Sequence, residues 1–323
     1  MRLGKSVRRV GGAAAVAGLA ALGLVALAQA QAPAPLKIGI TEGFSGVYAD
    51  LNLGEVEAAQ MAIDDFGGKV LGRPIELLSA DHQTKPDIGA QIARKWYDVD
   101  GVSMITGIGT SSVALAVRKI AQEKGKIDIN TGAASADLTG PACSETGAHW
   151  VYDTYALAKV TGGAIVKGGQ RLAGLLVFST DVNSLTLPVA QGLVLTEAFY
   201  WDQNDETRAW TKRFRAKRDK IPSMLTAGAY SSVNHYLKAV QAAGTDDAKA
   251  VMAKMREMPV NDVMTKNGKL REDGRLVRDM HLFQVKAPSE SKSKDDIYKL
   301  IATVPGDQAY RPLKEGKCPF VKD

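Results

Sequence analysis

Three segments rich in glycine and hydroxyl side chains carry the residue types best suited to chemistry with a small anion. Each follows a short apolar run, and together they comprise residues 41–50, 107–112 and 131–137. Ser111 and Ser112 stand at the start of a predicted helix, where unpaired N–H groups and the positive end of the helix dipole favour an anion. We expect a carboxylate to bind there, unless Ser111 serves only to cap its helix.

The sequence contains none of the motifs that mark common enzyme classes. It lacks a Gly-x-x-x-x-Gly-Lys-Ser/Thr phosphate loop, a His-Glu-x-x-His metal motif and a Gly-x-Ser-x-Gly nucleophile elbow. Gly107-Ile108-Gly109 lacks the third glycine of a dinucleotide fingerprint. The histidines are scattered, without the spacing of metal ligands: His82, His149, His235 and His281. We therefore predict no catalytic residue, no metal site and no cofactor.

Composition and charge indicate a folded protein without a polyanionic partner. The 323 residues are 45% hydrophobic and 24% charged, which provides enough apolar material for a core. The formal charge is +6, but four of the basic residues lie within the first thirty positions, which contain no acid. The rest of the chain is nearly balanced, so we expect no nucleic-acid binding.

The first thirty residues have the pattern of a cleaved secretory signal. A basic stretch, residues 1–9, precedes an apolar run, residues 10–28, which closes with Ala28-Gln29-Ala30. A membrane anchor is the alternative, because the run is roughly long enough to span a bilayer. We predict that residues 1–30 direct export. Arg8-Arg9 suggests the twin-arginine route without deciding between it and general secretion.

The two cysteines are expected to pair. Cys143 and Cys318 are the only cysteines of the sequence, and an even pair in an oxidising compartment is typically bonded. Such a bond ties the C-terminal end of the chain back to its middle.

The elements that position the three segments alternate between short apolar strands and amphipathic helices. Strands are predicted at residues 36–40, 75–78, 102–106 and 127–130, and helices at residues 54–66, 86–99 and 111–124. Pro86 suits the first turn of its helix, and Gly125 suits a C-terminal stop. This order predicts an α/β fold with a doubly wound parallel sheet covered on both faces.

The second half of the sequence is less regular. Strands are predicted at residues 171–178 and 193–199, and helices at residues 205–220, 227–243 and 246–258. Turns are predicted at Gly268-Lys269 and Asp273-Gly274-Arg275. Around and after them, apolar and polar residues alternate as far as Val285. We interpret this region as a hairpin.

In combination, several short motifs resemble one known family. They are Ile38-Gly39-Ile40, Ser45-Gly46 with Tyr48, Gly72-Arg73-Pro74, Asp81 with Gln83-Thr84-Lys85-Pro86, Gly132-Ala133-Ala134 and Asp273-Gly274-Arg275. The sequence is similar in these respects to the periplasmic leucine-type, or branched-chain amino acid, binding proteins of ABC importers. The resemblance implies a periplasmic binding protein type I clamshell. In such proteins two α/β lobes close on a small solute and present it to an ABC permease in the inner membrane, without catalysis.

The resemblance also suggests where a solute would bind. The carboxylate-holding serine falls on Ser111, with Ser112 beside it, whereas the hydroxyl of the fourth strand's loop falls on Ala134, for which Ser135 is a substitute. Tyr48 and Phe44 are expected to line the solute's side chain, and Tyr152 and Tyr155 either face the cleft or pack the hinge. The predicted ligand-binding residues are Ser45, Tyr48, Ser111, Ser112, Ala134, Ser135 and Tyr155.

The sequence departs from the family in the size of its second lobe. The first lobe is assigned to residues 31–150 and 200–283, and the second to residues 151–199 and 284–323. A βαβ unit needs roughly thirty residues or more, so the second lobe is short by two or three βα units. An internal deletion near residues 166–171 is the simplest account. It predicts exposed sheet edges, loosening or association, and weakened binding.

Three functions compete at this point. The first is a periplasmic solute-binding protein for a small carboxylate, either an amino acid or an aromatic acid. The second is a ligand-sensing module with the same architecture. The third is an exported serine hydrolase with a nucleophile at Ser111 or Ser45, for which no activating histidine and acid are evident.

Overall fold

The computed structural model describes residues 33–46, 48–168 and 172–322. The strands are β1 Leu36–Glu42, β2 Lys69–Val70, β3 Arg73–Asp81, β4 Val102–Gly107, β5 Ile127–Asn130, β6 Gly147–His149, β7 Val194–Glu197, β8 Lys269–Leu270, β9 Leu276–Val277, β10 Met280–Val285 and β11 Tyr298–Val304. The helices are α1 Ala49–Asn52, α2 Glu55–Asp65, α3 Pro86–Lys95, α4 Ser111–Glu123, α5 Thr154–Gly168, α6 Ser179–Leu185, α7 Leu187–Ala190, α8 Asp205–Lys217, α9 Met224–Ala243, α10 Ala248–Glu257 and α11 Gly306–Ala309.

A six-stranded sheet forms the centre of the larger part of the molecule. Its strand order is β2-β3-β1-β4-β5-β6, and all neighbours pair in parallel except the short edge strand β2. Met104 and Ile105 point to opposite faces and belong to separate buried clusters, one containing α2 and α9 and the other α3 and α4. The predicted parallel sheet with helices on both faces is confirmed.

Local sequence signals place most helix ends within a few residues of the prediction. Pro86 occupies the first turn of α3, as expected. The predicted helix 86–99 is α-helical only to Lys95, and a π-helical turn, Trp96–Asp100, completes it. This turn lies where the ring of Trp96 packs so closely on Gly39 that a Cβ there would stand 2.5 Å from it. Helix α9 begins at Met224, before the predicted start, because the Ser223 hydroxyl accepts a hydrogen bond from the Thr226 N–H.

The second sheet differs from the prediction. It has three antiparallel strands in the order β11-β10-β7, with Leu282 opposite Thr196 on one side and Ala302 on the other. The strand predicted at residues 171–178 is not formed in the described part, residues 172–178, where only Ala173 bridges to Val194. The leucines of this segment, Leu172, Leu175 and Leu176, are exposed rather than packed in a sheet.

The predicted hairpin near residues 268–285 is only partly correct. Strands β8 and β9 form a short hairpin. The remaining segment, β10, leaves it and pairs with β7 and β11 instead. Because β7 is distant from β10 in sequence, the local turn signals could not indicate this partner.

The C-terminal segment is covalently attached to the larger part of the molecule. Cys143 and Cys318 form a disulfide with an Sγ–Sγ distance of 2.03 Å. Beside it, the Arg311 guanidinium donates hydrogen bonds to the carbonyls of Ala136 and Thr139. The predicted signal, residues 1–30, lies outside the described residues. Within the described residues, no helix combines the length and apolar character needed to cross a membrane.

Candidate functional site

A cavity of about 630 Å³ opens at the carboxyl ends of the parallel strands. One side is formed by the loops after β1, β4 and β5, and the other by residues 176–184, which lead into and form α6. This is the edge at which open α/β sheets bind ligands. Four of the predicted ligand-binding residues line the cavity: Tyr48, Ser111, Ser112 and Ala134.

Ser111 connects two of these loops. Its Oγ accepts hydrogen bonds from the Ala134 and Ser135 N–H groups at 3.2 and 3.1 Å. It does not cap α4, because Thr110 holds the N-cap position and Ser111 is the first helical residue. The first-turn N–H groups of α4 therefore lack intrahelical acceptors at the edge of the cavity. Ser112, which is exposed, stands next to them.

Three of the predicted residues lie outside the cavity lining. Ser45 is exposed. The N–H of its neighbour Phe44 donates to the Asp81 carboxylate at 3.2 Å, so the loop after β1 folds onto the end of β3. The Ser135 Oγ accepts from the Asp137 N–H and caps a short 3₁₀ turn, Ala136–Thr139. Tyr155 is half-buried in the first turn of α5. Phe44, the further aromatic candidate, is not part of the lining either.

An aromatic wall closes one side of the cavity. The Tyr152 hydroxyl donates a 2.7 Å hydrogen bond to the Gly132 carbonyl, and its ring lies 5.2 Å from that of Phe178. Tyr152 thus both packs within the structure and lines the cavity.

Sequence reasoning missed Phe178 and Asp181 because residues 171–178 were predicted to form a strand and no helix was predicted directly after them. The signal present was a helix start. The Asp181 carboxylate reaches back to accept the Phe178 N–H at 2.9 Å, three residues before it.

The charged side chains that line the cavity within the described residues are both acidic. They are Asp50 and Asp181. Asp50 lies 3.7 Å from the Lys220 ammonium at an exposed position, where such a pair is largely screened. An anion in this cavity would be held by N–H groups and hydroxyls, and the carboxylates suit a cationic group on the same solute.

Two buried glutamates lie directly behind the loops. Glu42 ends β1, Glu55 begins α2, and both are completely buried. Burial, and then the neighbouring Glu55, raise the pKa of Glu42 well above its usual value, against the opposing effect of the Gly109 and Gly43 N–H groups. Burial also raises the pKa of Glu55 to about 8, although its hydrogen bonds to Thr131 and Glu42 act in the opposite direction. Sequence analysis did not single out either residue.

Together the parallel sheet, the polar cavity at its strand ends and the smaller facing sheet define the class of two-part α/β solute-binding proteins. The sequence matches the profile of the family described as "Periplasmic binding protein" over residues 35–172 and 166–294, and the chain belongs to that family. No curated protein matches the sequence.

Solved structures support the same assignment. A periplasmic binding protein from Burkholderia mallei is 37% identical, with a TM-score of 0.86, and the match covers 89% of this chain and 99% of that one. A branched chain amino acid ABC transporter periplasmic ligand-binding protein from Burkholderia xenovorans LB400 is 31% identical, with a TM-score of 0.84 and coverage of 88% and 99%. A solute binding protein from R. palustris in complex with benzoate shares the fold at 17% identity, with a TM-score of 0.74 and coverage of 84% and 97%. The predicted resemblance to periplasmic leucine-type binding proteins is confirmed.

Proposed function

We propose that the protein is the periplasmic solute-binding component of an ABC importer, and that it delivers a small carboxylate-bearing solute to a permease in the inner membrane. One observation carries the proposal. The start of α4, with its unpaired N–H groups and Ser112, borders a cavity of about 630 Å³ at the strand ends. Residues 1–30 are proposed to direct export.

Within this function we propose an amino acid as the solute. Asp50 and Asp181 favour a solute that carries an ammonium group as well as a carboxylate. Tyr48, Tyr152 and Phe178 provide apolar surface for its side chain. An aromatic acid is the second candidate, supported by the same aromatic side chains.

Matched pairs of ligands distinguish the two candidates. Saturation-transfer NMR and calorimetry would compare leucine with 4-methylpentanoate, and phenylalanine with 3-phenylpropanoate. If the carboxylates hold an amine, each amino acid should bind about tenfold tighter than its deaminated partner. Equal affinities would favour the aromatic acid, and no binding by any of these compounds or by benzoate would contradict the proposed function.

An Ala134→Trp variant tests the location of the site. Ala134 lines the cavity and is half-buried, so an indole at this position should fill the space beside Ser111. We expect solute binding to fall below detection while the melting temperature stays within about 2 °C, since no core atom is displaced. Asp137→Trp is the matched control, because Asp137 is exposed in the same loop region but outside the lining. If both variants bind alike, the solute lies elsewhere.

The hydrolase alternative receives no support from Ser111. Its Oγ is held by two backbone N–H groups rather than by a histidine.

A sensing module would share the same cavity and differ only in its partner. Capture of the permease subunits by the purified protein would therefore favour transport over sensing.

We also propose that the smaller part of the molecule is a shortened second lobe. Two observations support this. The two family matches meet and overlap at residues 166–172, where the sequence predicts a deletion. Nine of the eleven large exposed hydrophobic side chains of the described residues also belong to the smaller part, namely Ile165, Val166, Leu172, Leu175, Leu176, Leu185, Val189, Leu300 and Ile301. Apolar surface of this extent is what absent neighbouring strands would leave uncovered.

This exposed surface predicts self-association at high concentration. Strand β11 is an edge strand whose residues from Lys299 to Thr303 are all exposed. A Leu300→Lys/Ile301→Lys variant should remain monomeric in sedimentation velocity at concentrations at which the natural sequence associates. Gln60→Lys/Gln122→Lys adds the same charge at exposed helix positions without removing apolar surface, and should associate like the natural sequence. A natural sequence that is monomeric at every concentration would contradict the prediction.

A further inference from the structure

The two buried glutamates connect the loops of the cavity to each other. The Glu42 Oε2 accepts the Gly109 N–H at 2.6 Å, in the loop after β4. The Glu55 Oε2 accepts the Thr131 hydroxyl at 2.9 Å, in the loop after β5. Glu42 itself leads into the loop after β1. All three cavity loops therefore converge on this pair of carboxyl groups.

No cation within the described residues compensates the two carboxyl groups. Their Oε2 atoms accept the Gly109 N–H and the Thr131 hydroxyl, and the Oε1 atom of each group is buried without a hydrogen-bond partner. The two groups are close enough for each to shift the pKa of the other. Two unpaired carboxylate charges in a dry interior would cost far more than their hydrogen bonds return.

The other titratable groups around the pair are uncharged. The His82 Nε2 lies 4.0 Å from the Glu42 Oε2, and its Nδ1 accepts the Thr84 N–H, which leaves the proton on Nε2. Burial lowers the pKa of His82, although the nearby Asp81 opposes the shift. Burial, then Glu42 and Glu55, raise the pKa of Tyr152 above its usual range. Asn52, also buried, donates to the Gly43 carbonyl.

This cost is avoided if the two carboxyl groups retain a single proton between them. One carboxylic acid then donates to the other carboxylate, so the pair carries one charge rather than two. The donated hydrogen bond also draws β1 and α2 together, and with them the Gly109 and Thr131 contacts.

We propose that Glu42 and Glu55 share a proton that positions the three cavity loops, and that solute retention depends on this proton. The second part rests on the proposed function. Loss of the proton leaves two carboxylates side by side behind the loops. Each one binds its own N–H or hydroxyl donor strongly, but their mutual repulsion drives Glu42 and Glu55 apart, displaces the loops that they hold and repels the carboxylate of a solute.

The direction of the pH dependence follows from the raised pKa values. Burial raises the pKa of Glu42 well above its usual value and that of Glu55 to about 8, so the pair retains a proton at neutral pH and loses it only in the alkaline range. Loop order and solute affinity should therefore be highest at neutral pH and fall above that range. Because the ordinary pKa of the unfolded carboxyl is near 4.5, the pair's contribution to stability likewise decreases as the pH rises from there toward 8.

Glu55→Gln is the decisive variant. Glutamine keeps an oxygen for the Thr131 hydroxyl and offers an N–H to Glu42, so it imitates the protonated acid at every pH. Glu76→Gln, on the exposed face of β3, is the matched control. Glu42→Gln provides a second test should Glu55→Gln fail to fold.

The first measurement needs no solute. Hydrogen exchange would follow the Gly109 amide between about pH 6 and about pH 9.5, corrected for the intrinsic pH dependence, and infrared spectroscopy would follow the carboxylic acid C=O band. In the natural sequence and in Glu76→Gln, we expect Gly109 protection to fall about tenfold from neutral to alkaline pH as the pair's part of the band disappears. In Glu55→Gln the Gly109 protection should stay constant. The band should lose the part that belongs to the pair and keep the part that belongs to Glu197, a buried carboxyl group whose pKa burial also raises to about 8. A natural protein without a carboxylic acid band at neutral pH, or equal behaviour of all variants, would overturn the proposal.

The second measurement adds leucine and benzoate as probes. For whichever binds, Kd should rise about tenfold between pH 7 and pH 9 in the natural sequence and less than about twofold in Glu55→Gln. An affinity with the same pH dependence in both proteins would overturn the link to solute retention. If neither probe binds at pH 7, the proposed function fails for these solutes, whereas the exchange and infrared measurements still decide whether the proton positions the loops.

Discussion

An Arg118→Met variant is expected to lose about 3–5 kcal/mol of unfolding free energy. Arg118 is only 2% exposed on α4, and its Nε lies 2.8 and 2.7 Å from the two carboxylate oxygens of Asp128 on β5. Its terminal nitrogens donate to the carbonyls of Leu138 and Ala148 at 2.7 and 2.9 Å. Methionine fills most of the volume but leaves the Asp128 charge and both carbonyls buried without partners.

Urea denaturation would measure this loss as a shift of the midpoint at constant m-value. Arg94→Met is the control, because Arg94 forms only an exposed pair with Glu123 at 3.7 Å and should cost less than about 1 kcal/mol. Adding Asp128→Leu to Arg118→Met should restore part of the stability, since it removes the unpaired charge. Equal losses in Arg118→Met and Arg94→Met would refute the assigned role.

This ion pair also supports the candidate site. It fixes α4, whose first turn borders the cavity, to β5, whose end carries the loop from Thr131 onward. A partly folded Arg118→Met protein should therefore lose solute binding along with its stability.

Replacing both cysteines by serine is expected to lower the unfolding free energy by about 2–5 kcal/mol. The bond between Cys143 and Cys318 spans 175 residues of sequence, so its removal increases the conformational entropy of the unfolded chain. It also releases the C-terminal segment that carries Arg311, whose guanidinium supports the turn after the β5 loop.

Reduction provides the control for this prediction. A reductant should lower the melting temperature of the natural protein to that of the Cys143→Ser/Cys318→Ser variant, and should leave the variant unchanged. If the natural protein keeps its melting temperature after both thiols are shown to be free, the bond does not contribute to stability in this way.

The sequence predicted the larger sheet well because its signals are local. Short apolar runs separated by amphipathic stretches of helical length specify β1, β3, β4 and β5 with their intervening helices, and this pattern does not depend on contacts elsewhere in the fold. The same order places the loops after β1, β4 and β5 at one edge. Tyr48, Ser111, Ser112 and Ala134 could thus be assigned to a single region before any contact was known.

The smaller sheet could not be predicted in the same way. Strand β10 follows a hairpin in sequence but pairs with β7, more than eighty residues earlier. Nothing in its own alternation of residues indicates that partner. The segment with Phe178 and Asp181 has a strand-like composition, yet its end is a helix start that only the structure makes evident.

The sequence by itself determined the family, the parallel sheet and the segments that border the cavity, since each depends on residues close together along the chain. Only the tertiary structure decided which charged groups come into contact in the interior of the protein. Arg118 meets Asp128, and Glu42 meets Glu55, because the packing of helices on the sheet brings their side chains into one dry interior. There the cost of burying charge makes each group depend on its neighbour.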